Sequence, residues 1–106
     1  MRLKDSTVNL EGVSWRMFHA AIVTEGIFKK RGMECIITSA NDGKHGPNTL
    51  HHKGLALDIR TWALSGREPE VVAEMQEALG PEYDVVLEKD HIHLEWDEKK
   101  AKTNAV

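Results

Sequence analysis

One cysteine, Cys35, is the only thiol in 106 residues. No disulfide can therefore close within the chain, and stability has to come from a buried core. The thiol lies in the apolar run Glu34-Cys35-Ile36-Ile37, which points to a buried, inert side chain and leaves the redox compartment open. No apolar stretch approaches the roughly 18 residues needed to span a bilayer. The N-terminus, Met1-Arg2-Leu3-Lys4-Asp5, has no apolar centre of the signal-peptide kind. We therefore expect a soluble chain, cytoplasmic at synthesis, that does not insert into a membrane. Basic excess is missing as well: 14 Lys and Arg stand against 17 Asp and Glu, a formal charge of -3. That balance speaks against a nucleic-acid binder working through bulk electrostatics. Internal repeats and low-complexity tracts are also absent. What is present is 41% hydrophobic content, enough for one domain over residues 1–106 with no linker.

The hydrophobic pattern is mixed α and β. Residues Trp15 to Lys30 read as a helix with Ser14 as N-cap, a basic last turn and Gly32 just past the end. Trp15, Phe18, Ala21 and Ile22 fall at helical spacing, and with Met75 the large ones are expected in the core. Met33 to Ser39 is rich in β-branched residues and reads as a strand. The polar stretch from Ala40 to Leu50 reads as a functional loop. Leu55 to Arg60 alternates strictly, with Leu55, Leu57 and Ile59 on one face and Ala56, Asp58 and Arg60 on the other. A second helix is signalled by Pro69 near its first turn, Val72, Met75 and Leu79 on one side, and Gly80-Pro81 as a stop. Asp84 to Glu88 and His91 to Trp96 read as an antiparallel pair joined at Lys89-Asp90. In the last strand Ile92, Leu94 and Trp96 face inward, while His91, His93 and Glu95 share the outer face. The tail from Asp97 to Val106 is polar and is expected to fray.

Histidine placement carries the chemical signal. Of six histidines, only His19 lies outside the segments His45 to Asp58 and Asp90 to His93, which also hold carboxylates on polar faces. Zinc takes imidazole nitrogen and carboxylate oxygen, and a catalytic site uses three protein ligands with a fourth position for water. Two histidines and one aspartate supply such a set. The first ligand comes from the loop entering the strand at His51-His52 and the second from Asp58. Of His91 and His93, one suffices for the third. Gly54 permits the bend and Ala56 leaves space beside the ion. Glu95 and Arg60 fit a cross-strand ion pair as readily as a site role, and His45 fits a plain loop residue equally well.

Two motifs in this order resemble the D-alanyl-D-alanine carboxypeptidases and L-alanyl-D-glutamate endopeptidases, zinc peptidases of bacterial cell walls and phage endolysins. One is the family's Ser-x-His-x-x-Gly-x-Ala-x-Asp, here Thr49-Leu50-His51-His52-Lys53-Gly54-Leu55-Ala56-Leu57-Asp58. The other is an acidic residue three before a histidine, here Asp90-His91-Ile92-His93. The resemblance implies His51, Asp58 and His93 as zinc ligands, Asp90 as catalytic acid/base and His91 as a group beside the oxyanion. Thr49 replaces the usual serine, and Asp90 stands where many members have glutamate. The arginine that many members carry after the preceding strand is missing from Ser39-Ala40-Asn41-Asp42-Gly43-Lys44-His45. Lys44, His45 or Arg60 remain for substrate binding, and Asp42-Gly43-Lys44-His45 resembles the family's Asp-Gly-x-His loop. On strand parity Asp90 and His93 would face opposite sides, so Asp90 has to sit in the turn.

The whole reads as an α+β fold: a small antiparallel sheet, helices packed on one face and a zinc cleft on the other. The activity that the resemblance implies is hydrolysis of peptide bonds in peptidoglycan stem peptides; with no wall-binding module or export signal in view, we expect a phage-encoded monomer that acts at the wall after release. One rival is a non-catalytic zinc-binding interaction module, since the related hedgehog signalling domains keep such a metal site while working through protein binding. A metal-dependent nuclease is a second rival, disfavoured by the acidic charge.

Overall fold

Ser14 starts the main helix, α1 (Trp15–Lys30), as expected: its backbone is extended and its hydroxyl accepts from the Arg16 N–H at 3.2 Å. The computed structural model describes residues 1–40 and 54–100. At the other end Gly32, at φ +70°, closes α1. Its N–H donates to Lys29 O and that of Met33 to Phe28 O, so two carbonyls that the helix leaves open are satisfied by one left-handed residue. Met33 therefore belongs to the cap, and strand β2 is shorter than its composition suggested, Ile36–Ser39.

A strand not foreseen from the sequence, β1 (Arg2–Leu3), lies parallel to β2. The sheet continues with β3 (Ala56–Arg60), β4 (Tyr83–Leu87) and β5 (His91–Trp96) in the order β1-β2-β3-β5-β4. All pairs except β1–β2 are antiparallel, so the sheet is mixed where a purely antiparallel one was expected. Two residues of β1 carry no readable alternation, which is why the pattern missed them. The β4–β5 hairpin closes through Glu88 N–H to His91 O at 2.8 Å, which places Glu88 in the turn. A 3-10 turn (Trp62–Leu64) leads to α2 (Glu68–Leu79), with Pro69 in the first turn and Gly80 at its C-cap.

One buried cluster joins the sheet residues Ile37, Leu57, Ile59, Val85, Ile92 and Leu94 to residues of both helices. From α1 come Met17, Ala20, Ala21, Ile27 and Phe28; from α2 come Val71 and Met75, with Val72 and Leu79 partly covered. The core face of α1 is thus not the one its largest residues suggested. Trp15, Phe18 and Ile22 are exposed, because small side chains at 20, 21 and 24 let the helix lie close to the sheet. Buried Thr24 satisfies its hydroxyl on Ala20 O at 2.8 Å. Trp15 instead takes the Arg16 guanidinium over its ring at 4.6 Å, and Trp96 takes the same group at 4.2 Å. The two helices are tied at their edges by Arg31 to Glu70 and Glu74 and by Lys30 to Glu74. Cys35 is buried, and burial pushes its thiol up to about 12. No helix among the described residues is long and apolar enough to cross a membrane.

Candidate metal centre and adjoining cleft

Because Leu57, Ile59, Ile92 and Leu94 are committed to the core, period-two alternation turns their neighbours on β3 and β5 to the opposite face. The antiparallel register sets Asp58 opposite His93, Arg60 opposite His91 and Ala56 opposite Glu95. Asp58 and His93 meet: Oδ1 of the carboxylate lies 3.0 Å from Nδ1 of the ring. The other ring nitrogen, Nε2, lies 3.1 Å from Oε1 of Glu95. A carboxylate on both nitrogens favours the protonated form of His93. Asp58, the larger cause, and Glu95 raise its pKa above the ordinary value against the effect of burial. His91 continues the chain of contacts, with Nε2 at 3.8 Å from Asp58 Oδ1 and Nδ1 at 2.8 Å from Asp90 Oδ1.

The two carboxylates differ in setting. The Asp58 side chain is 13% exposed and that of Asp90 72%. Asp90 precedes β5 in the bend at 89–90, as its parity required, and its carbonyl accepts from Thr61 N–H at 3.4 Å. The hydrogen bond from His91 holds the Asp90 carboxyl below the usual range, so it is ionised at neutral pH. An ionised, exposed carboxylate in the bend beside the polar sheet face is able to accept a proton.

Around a tetrahedral ion with bonds of roughly 2.0–2.1 Å, neighbouring donor atoms lie about 3.3 Å apart. The 3.0 Å separation of Asp58 Oδ1 and His93 Nδ1 is close to that edge, and the imidazole–carboxylate pair is chemically suited to zinc. Among the described residues no cluster of three or more metal-type donors forms; His51, the third expected ligand, lies outside the described residues, as do His45 and the loop around it. The glycine of the same motif, Gly54, is nevertheless anchored. Gly54 has φ +72°, and a Cβ there would sit 2.1 Å from Gly12 O. Its own carbonyl accepts from Ser14 N–H at 2.9 Å. The motif glycine is therefore fixed against the segment that enters α1, a contact that only glycine permits.

Beside Asp90 and His91 opens a cleft of about 390 Å³, also lined by Lys4, Thr38, Arg60 and Trp62. Arg60 stacks on Trp62 at 3.9 Å and lies opposite His91, whereas Glu95 engages His93. The alternative of an Arg60–Glu95 ion pair is thus not what forms. Lys4, Thr38, Trp62 and Glu95 extend the expected set. Glu95 was legible, two residues from His93 on the same face; Lys4 and Trp62 were not, since they come from β1 and from the 3-10 turn. His19 is exposed on α1, away from both histidine segments in sequence. No family model, curated protein or solved structure matches the chain at a significant level.

Proposed function

We propose that this protein is a zinc-dependent hydrolase of peptide bonds in peptidoglycan stem peptides, of the D,D-carboxypeptidase or L-alanyl-D-glutamate endopeptidase type. The observation that most supports this reading is the meeting of Asp58 and His93 at 3.0 Å across β3 and β5. These residues come from two separate motifs, and each holds the ligand position its motif assigns. His51 completes the set by its place in the first motif. When bound, zinc supplies Lewis acidity toward a carbonyl oxygen and makes water a competent nucleophile near neutral pH.

The chain's own residues divide the remaining work. Asp58 and His93 would hold the ion, and Glu95 orients the His93 ring through Nε2. Asp90, ionised and open to solvent, takes the proton of the attacking water and returns it to the leaving amine. His91, fixed by Asp90 through Nδ1, presents a ring nitrogen beside the site where negative charge develops on the carbonyl oxygen. Thr61, through its N–H on the Asp90 carbonyl, helps hold the bend that carries the base.

Purified muropeptides incubated with wild type, Asp90→Asn and Asp58→Ala protein test the reading, with zinc measured by mass spectrometry and products located by fragmentation. Wild type is expected to bind zinc near stoichiometrically and to cleave. Asp90→Asn should keep the zinc and lose at least about 100-fold in rate, in line with the loss of a general base. Asp58→Ala should lose the zinc. Zinc bound by wild type without any cleavage of muropeptides would favour the non-catalytic module and sink the hydrolase.

A further inference from the structure

Helix α1 turns its largest apolar side chains away from the core: Trp15, Phe18 and Ile22 are 67%, 41% and 63% exposed. At 3.6 residues per turn the three fall on one stripe, which continues along the helix through Gly26 and Lys29. Exposed His19 and half-buried Glu25 flank it on opposite sides. Two members of the stripe serve nothing within the protein. A glycine inside a helix is destabilising relative to alanine, yet no described atom lies within 4 Å of the place a Gly26 Cβ would take. The Lys29 ammonium forms no ion pair or hydrogen bond among the described residues.

The stripe is complementary to itself. When a second α1 is laid antiparallel on the first about a two-fold axis through Ile22, the residue a given number of places before 22 on one helix faces the residue the same number of places after 22 on the other. Phe18 then faces Gly26, Trp15 faces Lys29, His19 faces Glu25, and Ile22 meets its own copy. A large ring is set against a residue with no side chain, an indole against a cation, and an imidazole N–H against a carboxylate. Glu25 also receives the Met1 ammonium at 2.9 Å, and its side chain is still 38% exposed. A flat apolar partner would use the three large side chains and give no reason for the glycine.

We propose that this face of α1 is a homodimer interface, two copies packing antiparallel with Ile22 on the two-fold axis. The proposal stands apart from the hydrolase reading and departs from the monomer expected from sequence. With aromatic side chains of about 150–250 Å² and isoleucine in the same range, the exposed fractions give roughly 350 Å² of apolar surface per copy. Homodimer interfaces are roughly 65% apolar, so with its polar rim the contact buries about 1,100 Å² in total. That is just above the roughly 1,000 Å² a specific interface needs and far below an obligate dimer. The pair should therefore dissociate on dilution, with a constant on the order of tens of micromolar. Because α1 covers the sheet face opposite Asp58 and His93, the cleft of each copy stays open.

Sedimentation velocity of the full chain from about 5 to about 500 µM should show monomer giving way to dimer and nothing larger, since a two-fold contact closes on itself. Ile22→Glu sets two carboxylates against each other on the axis and should weaken the dimer at least about 100-fold. Gly26→Gln fills the place Phe18 takes and should weaken it at least about tenfold. Both positions are exposed, so the dilute variants should melt close to wild type, or above it for Gly26→Gln, which separates loss of pairing from loss of fold. Direction is read by cross-linking, the native thiol being buried: Trp15→Cys and Lys29→Cys, mixed and oxidised, should form a covalent dimer that neither forms alone. A chain that stays monomeric at the highest concentration, oligomers that grow without limit, undiminished pairing in either folded variant, or self-cross-linking of Trp15→Cys in place of the mixed product overturns the proposal.

Discussion

Replacing Gly54 by alanine should damage this protein far more than the same change at other glycines. Three costs combine. A left-handed backbone conformation costs an alanine roughly 1–2 kcal/mol. The new Cβ would lie 2.1 Å from Gly12 O, 3.0 Å from Gly12 C and 3.2 Å from Val13 Cα. These are backbone atoms that cannot rotate away, so relief needs a backbone shift of the kind that costs about 1–3 kcal/mol in overpacked cores. That shift also loosens the Ser14 N–H to Gly54 O bond, worth about 1 kcal/mol. The total is about 3–6 kcal/mol. Gly32, at φ +70° with nothing within 4 Å of a Cβ, should cost only the conformational part, about 1–2 kcal/mol. Gly26 lies inside α1 with open space around it, so Gly26→Ala should stabilise by about 0.5–1 kcal/mol. Urea unfolding of the three variants reads these differences directly, with slopes compared to guard against a change in cooperativity. If Gly54→Ala is no more destabilised than Gly32→Ala, the close approach between residues 12 and 54 does not hold the motif in place, and the account of how the strand start is anchored fails.

Phe28→Ala should cost about 3–5 kcal/mol, because Phe28 is fully buried, whereas Trp15→Ala should cost about 0.5–1 kcal/mol, mainly its contact with Arg16; the urea midpoints decide, and the reverse order would refute the assigned face of α1. Glu74 has its carboxyl held below the ordinary value of 4.5 by hydrogen bonds from Lys30 and Arg31. A depressed carboxyl adds stability above its unfolded pKa and loses it as pH falls through the folded value. The melting temperatures of wild type and Glu74→Gln should therefore differ most at neutral pH and converge as the pH falls below the ordinary carboxyl value of 4.5 and on through the lowered folded value; a gap that persists in strong acid would refute the role of charge. Cys35, with its thiol pushed up to about 12, should resist a thiol reagent at pH 8 in the folded protein and react promptly in denaturant. Fast labelling of the native form would show the thiol to be accessible.

Sequence alone determined both helices, the positions of the later strands and the sheet face on which Asp58 and His93 lie. Ser14, Gly32, Pro69 and Gly80 mark helix limits through backbone rules that act locally. Strict alternation in 55–60 and 91–96 sets Asp58 on one face of its strand and His93 on one face of its own, since a pleat leaves no other choice. The contact between the two strands was implied by the motifs but not contained in either. Only the tertiary structure decided which face of α1 is buried. Trp15, Phe18 and Ile22 make a convincing apolar stripe, yet the smaller stripe of Ala20, Ala21 and Thr24 won because close packing against a sheet rewards fit as well as hydrophobicity. Partners distant in sequence were equally invisible: β1 beside β2, Gly12 against Gly54, and Lys4 sharing a cleft with Arg60, Trp62 and His91. Local pattern fixes the direction of a side chain within its own element, but the neighbour it meets depends on how the chain returns upon itself, and for Lys4 that neighbour lies more than 50 residues away.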